Sequence, residues 1–109
     1  MTDQRRFERT TLEAPIVVRG MVSTRKLLRG HCMNLSEGGA GGILSGELMP
    51  GQVVLMELVL GTERPVQVNA RVRHRSRLYC GFEFLGTDGE ALGQIREACG
   101  KQDSGVRAQ

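Results

Sequence analysis

The sequence has few of the residues from which a large core, a disulfide framework or a metal site is built. It contains no tryptophan, one tyrosine and three phenylalanines in 109 residues, so aliphatic side chains must fill the core of a single domain. The three cysteines, Cys32, Cys80 and Cys99, form no Cys-x-x-Cys pair and are odd in number. They predict free thiols in a reducing compartment, with neither a disulfide framework nor a metal site.

Long apolar runs are also missing. No stretch approaches the roughly 20 apolar residues that a transmembrane helix needs, and the polar N-terminus has no signal-peptide core. We therefore expect a cytoplasmic protein without membrane insertion. Lysine is scarce as well, because all but two of the 15 basic residues are arginine. Guanidinium groups bind phosphates in bidentate fashion and stack on flat rings. This skew indicates a nucleotide or another phosphate-bearing partner, although a GC-rich coding sequence would produce the same skew.

Catalytic arrangements are absent from the sequence. His31 and His74 have no serine and acidic residue at a recognised spacing, and the carboxylates are scattered among basic residues. There is no P-loop lysine, and the glycine-rich segment does not open a helix as a dinucleotide-binding loop does. The sequence therefore predicts a binding protein that is not an enzyme and that has no cofactor.

Short β-rich segments separated by glycine and proline turns make up most of the chain. Predicted strands cover residues 14–22, 25–35, 43–44, 52–60, 66–77 and 78–85. After Gly86 the apolar period becomes helical, with Thr87 or Asp88 as the N-cap and Gly100 as the stop. The predicted fold is all-β: a six-stranded antiparallel β-barrel with a C-terminal α-helix. We divide the chain into an N-terminal arm (1–13), the barrel domain with its helix (14–100) and a polar tail (101–109).

The predicted strand at residues 66–77 has the clearest period of two. Its even-numbered residues from Val66 to His74 share one face, which we expect to belong to the core, with His74 ending that face at the barrel rim. The opposite face has a ladder of four arginines, which is either a solvated surface or a phosphate track: Arg71, Arg73, Arg75 and Arg77.

The segment Asn-Leu-Ser-Glu-Gly-Gly-Ala-Gly-Gly at residues 34–42 has four glycines in five positions. Glycine permits positive φ and close backbone approach, so we expect a turn here. In an extended segment, the side chains of Asn34 and Ser36 would point to the same face. Both side chains donate and accept hydrogen bonds, as the edge of a guanine base does. Residue chemistry alone is compatible with a nucleotide ligand and indicates no more than that.

Two motifs give the chain a resemblance to the PilZ domains, bacterial receptors for cyclic di-GMP. The family signature is RxxxR near the N-terminus, followed some 20 to 30 positions later by [DN]xSxxG. Here the first motif reads Arg-Arg-Phe-Glu-Arg at residues 5–9, and the second reads Asn-Leu-Ser-Glu-Gly-Gly at residues 34–39. Residues 81–85, Gly-Phe-Glu-Phe-Leu, resemble the last strand of the family. Without the resemblance, the arginines would be interpreted as a solvated basic tail.

The resemblance implies a split-barrel fold whose arm closes over cyclic di-GMP. By position in the motifs, Arg5 and Arg9 would hold phosphates and guanine rings, with Arg6 assisting. Asn34 and Ser36 would bind a guanine edge, while Gly39 would keep the turn open. Asparagine replaces the more frequent aspartate at position 34, which implies lower affinity.

The expected mechanism is ligand-driven ordering of an otherwise mobile arm. Because the sequence has no output domain, we expect a signal to a separate partner protein, from a monomer or weak dimer. Two alternatives stay open. One is a PilZ-like interaction module that binds no nucleotide. The other, a small barrel that binds single-stranded nucleic acid through its arginine ladder, lacks the usual stacking aromatics.

Overall fold

The computed structural model of the chain describes residues 10–20, 27–46, 48–61 and 64–107, with side chains as far as residue 100. Six strands and one helix occur in this part of the chain. They are β1 (Thr10–Gly20), β2 (Leu27–Leu35), β3 (Gly39–Leu44), β4 (Val53–Leu58), β5 (Val66–Ser76), β6 (Tyr79–Leu85) and α1 (Gly89–Arg107). The predicted all-β class and the C-terminal helix are confirmed.

The strands form a closed antiparallel barrel in the order β1-β2-β3-β6-β5-β4. Strand β1 closes it by pairing with β4, for example Val18 with Met56. Closure leaves no unpaired strand edge within the barrel, so the sheet presents no template for edge-to-edge aggregation.

Aliphatic residues dominate the interior, as the scarcity of aromatics requires. The largest fully buried side chains are Ile16, Leu35, Leu44, Met56, Leu58 and Ile95. Ile95 belongs to α1, and Ala91 one turn earlier is also buried. The helix therefore contributes to the same core as the strands. Burial of these apolar side chains supplies the main favourable contribution to the free energy of folding.

The glycine-rich segment is a strand for most of its length, which corrects the expectation of a turn through residue 42. Strand β3 begins at Gly39, and among the described residues positive φ occurs at other glycines. Close backbone approach is the reason for glycine here. A Cβ at Gly39 would collide with the carbonyl oxygen of Phe82, and a Cβ at Gly42 with that of His31.

A β-bulge changes the direction of the side chains near the end of β2. Its pairing with β3 shifts between Cys32 and Asn34, which makes Met33 the additional residue. Cys32 and Leu35 are both fully buried, although strict alternation would put them on opposite faces. The bulge therefore places Asn34 on the outer surface of the barrel, where regular alternation would point it into the core.

A second bulge changes the direction of the side chains near the end of β5. Pairing with β6 shifts between Val72 and His74, so Arg73 is the additional residue. The alternation expected from the sequence holds as far as Val72, which is buried. His74 is exposed and Arg75 is half-buried. The prediction that His74 shares a face with Val72 is therefore wrong, because the bulge exchanges the two faces beyond Val72.

Helix α1 begins with a side-chain cap from Asp88, whose Oδ1 accepts a hydrogen bond from the backbone N–H of Ala91 at 2.8 Å. The helix continues to Arg107, so the predicted stop at Gly100 is wrong. Glycine weakens a helix without ending it unless it adopts positive φ, and Gly100 is not among the described residues with positive φ. In the part of the chain that the structure describes, no helix has the length and apolar character needed to cross a membrane.

Candidate functional site

The second sequence motif lies at the junction of β2 and β3. Residues 36–38 form a tight turn in which the N–H of Ser36 donates to the carbonyl of Gly39 at 2.8 Å. The Ser36 hydroxyl accepts from the N–H of Gly38 at 3.2 Å and donates to the same carbonyl at 3.4 Å. Ser36 is only 5% exposed. Its hydroxyl therefore shapes the turn, a role that the sequence did not predict.

The turn is held from two sides. The N–H of Phe84 in β6 donates to the carbonyl of Gly38 at 2.9 Å. On the other side, Arg96 of α1 forms an ion pair with Glu37 at 3.1 Å, and the thiol of Cys99 lies 3.6 Å from the carbonyl of Leu35. The motif turn is thus connected to both the last strand and the helix.

Asn34 begins a row of four paired residues across the outer surface of the barrel. It pairs with Gly41 of β3, Gly41 pairs with Gly81 of β6, and Gly81 pairs with His74 of β5. The two bulges turn Asn34 and His74 outward at the two ends of this row. Because the two central residues have no side chains, the row has a glycine floor between two polar side chains.

Tyr79 lies over this glycine floor. Its hydroxyl accepts a hydrogen bond from Nδ2 of Asn34 at 3.0 Å, and its ring stacks on His74 with centroids 5.8 Å apart and planes inclined by 25°. A Cβ at Gly41 would collide with the tyrosine hydroxyl, and one at Gly81 would collide with the imidazole. The rings can lie this close to the sheet because both positions are glycine.

The described chain begins directly after the first sequence motif. Arg5, Arg6 and Arg9 lie outside the described residues, but strand β1 starts at the next position, Thr10. Thr10 pairs with Leu35. Strand β1 therefore begins beside the motif turn, although Thr10 and Leu35 are 25 positions apart in the sequence.

The arginine ladder is less continuous than the sequence suggests. Arg71 and Arg73 are exposed on β5, and Arg73 pairs with Glu83 at 3.3 Å. Beyond the bulge, the guanidinium of Arg75 donates to the carbonyls of Arg77 at 2.9 Å and Leu48 at 3.3 Å. The bulge therefore separates Arg71 and Arg73 from Arg75, and Arg77 lies in the turn after β5, so the four arginines do not form a single phosphate track.

A separate open cleft of about 350 Å³ lies between strands β4 and β5 and the start of α1. Its lining includes the carboxylates of Glu57, Asp88 and Glu90, and none of the predicted site residues. The guanidinium of Arg64 also lines the cleft, so three carboxylates and one cation leave its lining with a net negative charge, which disfavours a phosphate-bearing ligand. Among the described side chains, no group of three histidine, cysteine, aspartate or glutamate residues could hold a metal ion.

Asn34, Ser36 and Gly39 lie at the end of β2, in the turn and at the start of β3, and their roles in ligand binding stay predictions. Sequence reasoning missed Tyr79, Gly41 and Gly81. The weak signal for them was the single tyrosine of the chain two positions before a glycine. Their arrangement depends on strand register, which distant parts of the chain determine.

Comparisons with known proteins agree with this architecture. The structure of the Bacillus subtilis inhibitor of motility, MotI/DgrA, matches with a TM-score of 0.80 and 17% identity over 97% of this chain. The PilZ domain of YcgR from Escherichia coli, solved with c-di-GMP, matches with a TM-score of 0.77 and 17% identity. That match covers 97% of this chain and 96% of the YcgR domain. The PilZ domain of CeSA from a cellulose-synthesising bacterium matches with a TM-score of 0.70 and 17% identity, covering 88% of this chain and 98% of that one.

At such low identity the structural matches establish the fold, and the chain spans only 54% of the MotI/DgrA chain. A comparison with curated protein sequences finds no match. The sequence model described as "PilZ domain" matches residues 3–101, which include both motifs, all six strands and most of α1. The chain therefore belongs to the PilZ domain family.

Proposed function

We propose that this chain is a receptor for cyclic di-GMP, not an enzyme, and that it acts in the cytoplasm. The ligand would hold the N-terminal arm against the barrel, and the resulting surface would signal to a separate partner protein. Family membership supports this proposal, as does the presence of c-di-GMP in the structure of the YcgR PilZ domain. The free cysteines, two of them buried, support a reducing compartment.

The pairing of Thr10 with Leu35 is the observation that carries the proposal. Consecutive Cα atoms are about 3.8 Å apart, and an extended chain spans at most about 3.6 Å per residue. Arg9 directly precedes Thr10 in the sequence, and Arg5 is within about 18 Å of Thr10. All three arginine side chains of the arm can thus reach a ligand on the surface that carries Asn34.

The charges of the two partners are complementary. Cyclic di-GMP carries two phosphodiester anions, while Arg5, Arg6 and Arg9 supply three guanidinium groups. Guanidinium groups form bidentate, charge-assisted hydrogen bonds with phosphates and also stack on planar rings. A bound anion would offset the repulsion among the three arginines, so binding and closure of the arm would favour each other.

The base would be recognised at Asn34. The carbonyl of its amide can accept hydrogen bonds from the N–H donors of guanine, and the β2 bulge presents this side chain outward. Ser36 and Gly39 would act mainly by holding the turn and allowing β3 to approach β6. The donor bond of the Ser36 hydroxyl is long at 3.4 Å, so the hydroxyl can rotate toward a ligand at little cost.

Calorimetric titration with cyclic di-GMP tests the proposal. We expect micromolar or tighter binding by the wild-type protein. Arg9→Ala or Asn34→Ala should lower the affinity roughly tenfold or more. Asn34→Asp should bind more tightly than wild type, because a carboxylate accepts stronger hydrogen bonds. Arg19→Ala is the matched control, since Arg19 is an exposed arginine near the other end of β1.

No heat of binding from the wild-type protein would reject the receptor function and favour the interaction module that binds no nucleotide. Equal losses of affinity for Arg9→Ala and Arg19→Ala would show that binding depends on the net charge of the protein and does not depend on the arm. Steeply salt-dependent binding of single-stranded oligonucleotides would instead support the nucleic-acid alternative.

A further inference from the structure

Exposed apolar side chains gather at the end of the barrel where β5 turns into β6. Met49 is 68% exposed, Leu78 52% and Ile43 40%. Ile43 faces outward near the end of β3 and pairs with Tyr79, the residue after Leu78. The N–H of Leu44 donates to the carbonyl of Leu78 at 2.9 Å. Strand β3 and the hairpin therefore hold Ile43 and Leu78 next to each other.

Arg75 connects Met49 to this pair. Its Nε donates to the carbonyl of Arg77 at 2.9 Å, and its Nη1 donates to the carbonyl of Leu48 at 3.3 Å. Leu78 and Met49 directly follow these two carbonyls in the sequence, so one guanidinium group fixes both turns. We call the surface formed by four exposed residues at this end the hairpin surface: Ile43, Met49, Arg77 and Leu78.

The turn of the hairpin has residues that turn geometry does not favour. Ser76 pairs with Tyr79, so Arg77 and Leu78 form a two-residue loop. Arg77 has a φ of 57° and is the only non-glycine residue with positive φ in the part of the chain that the structure describes. Glycine or asparagine is preferred at such a position. Departures from local preference concentrate at functional sites, and here they place a cation and an apolar side chain together in solvent.

The charges around the hairpin surface are positive. Arg29 lies beside the end of β3, since its neighbour Gly30 pairs with Leu44, and Arg75 and Arg77 lie in the hairpin. The described residues at this end carry no carboxylate in the segments 27–31, 43–46, 48–52 and 75–79. Glu47 is the one acid of the intervening sequence, and it lies outside the described residues. An apolar partner that is also acidic would complement this surface in both respects.

We infer that the hairpin surface is the docking site for the partner protein, and that the partner presents a segment in which apolar side chains alternate or mix with carboxylates. This inference rests on the proposed function, because it gives the chemistry of the partner to which the receptor would signal. Methionine and arginine are enriched at protein interfaces, and complementary charge speeds and orients association. The surface also adjoins the proposed ligand site, since Tyr79 is hydrogen-bonded to Asn34.

Charge and shape disfavour two other occupants. Two copies of the chain joined through this surface would bring their arginines together, and like charges repel. A flat bilayer would not contact all the apolar side chains at once, because Ile43 faces outward from the wall of the barrel whereas Met49 and Leu78 lie in turns at its end. A polypeptide segment can follow the surface from the wall to the end.

Selection of random peptides displayed on phage, with the wild-type protein as the target, tests the inference. We expect the selected peptides to combine acidic and apolar residues and to lose affinity when their carboxylates are replaced by amides. The double variant Arg77→Asn/Leu78→Ser should bind them roughly tenfold or more weakly. Asparagine tolerates positive φ, so this variant removes the charge and keeps the turn.

The matched control makes the same kind of change elsewhere on the barrel. Arg19 is exposed on β1, opposite β6 in the strand order, and Val59 is 39% exposed after β4. Arg19→Asn/Val59→Ser should bind the peptides as wild type does, within about twofold. Met49→Ser reaches the hairpin surface from a different turn and should weaken binding by roughly threefold or more. It tests the surface even if the hairpin variant does not fold.

Four outcomes would overturn the inference. They are the selection of no peptide, the selection of peptides without acidic residues, equal binding by the Met49→Ser protein and wild type, and equal losses in the hairpin and control variants. Binding to vesicles containing phosphatidylglycerol, without a selected peptide, would identify a membrane surface instead. A concentration-dependent dimer that Met49→Ser abolishes would identify a second copy of the chain.

The calorimetric titration of the wild type with cyclic di-GMP separates this inference from the proposed function. If cyclic di-GMP does not bind while the acidic peptides do, the receptor function fails and the hairpin surface belongs to an interaction module. If cyclic di-GMP binds and the peptide selection gives one of the four contrary outcomes, only the inference about the partner fails.

Discussion

Two glycines show how much the effect of one methyl group depends on its surroundings. Gly39 begins β3, and a Cβ there would collide with the backbone carbonyl of Phe82 in the neighbouring strand. Gly93 lies on the exposed side of α1, where a Cβ would have no atom within 4 Å. We therefore predict that Gly39→Ala lowers the free energy of unfolding by about 1–3 kcal/mol, the usual range for overpacking.

Gly93→Ala is the matched control for this prediction. Alanine is a better helix former than glycine by about 1 kcal/mol, so the control should raise the free energy of unfolding. Urea denaturation of both variants measures the two changes. A Gly39→Ala protein as stable as wild type would mean that β3 can move away from β6, and the steric explanation for this glycine would fail.

Cys80 provides a prediction about pH. Burial raises the pKa of its thiol above the ordinary value of 9.0, and the positive charge of Arg75 offsets part of this increase. Above about pH 9 the cysteine of the unfolded chain loses its proton while the native thiol keeps it. The unfolded state then binds fewer protons, so the free energy of unfolding should fall as the pH rises through this range.

The comparison of wild type with Cys80→Ala isolates this effect, because the other titrating groups are common to both proteins. Wild type should lose more stability between pH 8 and pH 10.5 than Cys80→Ala does. Parallel pH profiles for the two proteins would contradict the prediction.

At the scale of elements, local patterns in the sequence predicted which segments form strands. Alternation from Val66 to Val72 and the helical period after Gly86 are local signals, and the barrel has both elements where they were expected. The two bulges at Met33 and Arg73 could not be predicted in this way, because they depend on the register against neighbouring strands. The candidate site was predicted in part for the same reason. Its motif residues are recognisable in the sequence, whereas the row from Asn34 to His74 exists only in the folded sheet.

The start of α1 gives a test at this scale, because the sequence left two candidates for the N-cap. Asp88 accepts the hydrogen bond from the N–H of Ala91, so Asp88→Ala should lower the free energy of unfolding by about 1 kcal/mol. Thr87→Ala, at the other candidate position, should lower the free energy of unfolding by less. Chemical denaturation of the two variants compares them directly, and a larger loss for Thr87→Ala would show that the cap is assigned to the wrong residue.

At the scale of the whole molecule, the proposed site connects parts of the chain that are far apart in sequence. Strand β1 begins beside the motif turn, β6 supplies Tyr79, and α1 is joined to the turn through the ion pair of Glu37 with Arg96. A ligand on this surface would contact the arm and the barrel together. Under the proposed function, binding would have two distinguishable effects: closure of the arm, and a general stabilisation of the native state over the unfolded one.

Limited trypsin digestion separates these two effects. Trypsin cleaves after arginine and lysine, so Arg5, Arg6 and Arg9 report on the arm, whereas Arg25 and Lys26 report on the connection between β1 and β2 at the opposite end of that hairpin. If the ligand holds the arm against the barrel, saturating cyclic di-GMP should slow cleavage after the three arm arginines by roughly tenfold or more, since cleavage requires an open chain. Cleavage after Arg25 and Lys26 should be nearly unchanged. Equal protection at both ends would indicate general stabilisation alone, and it would reject closure of the arm while leaving ligand binding itself intact.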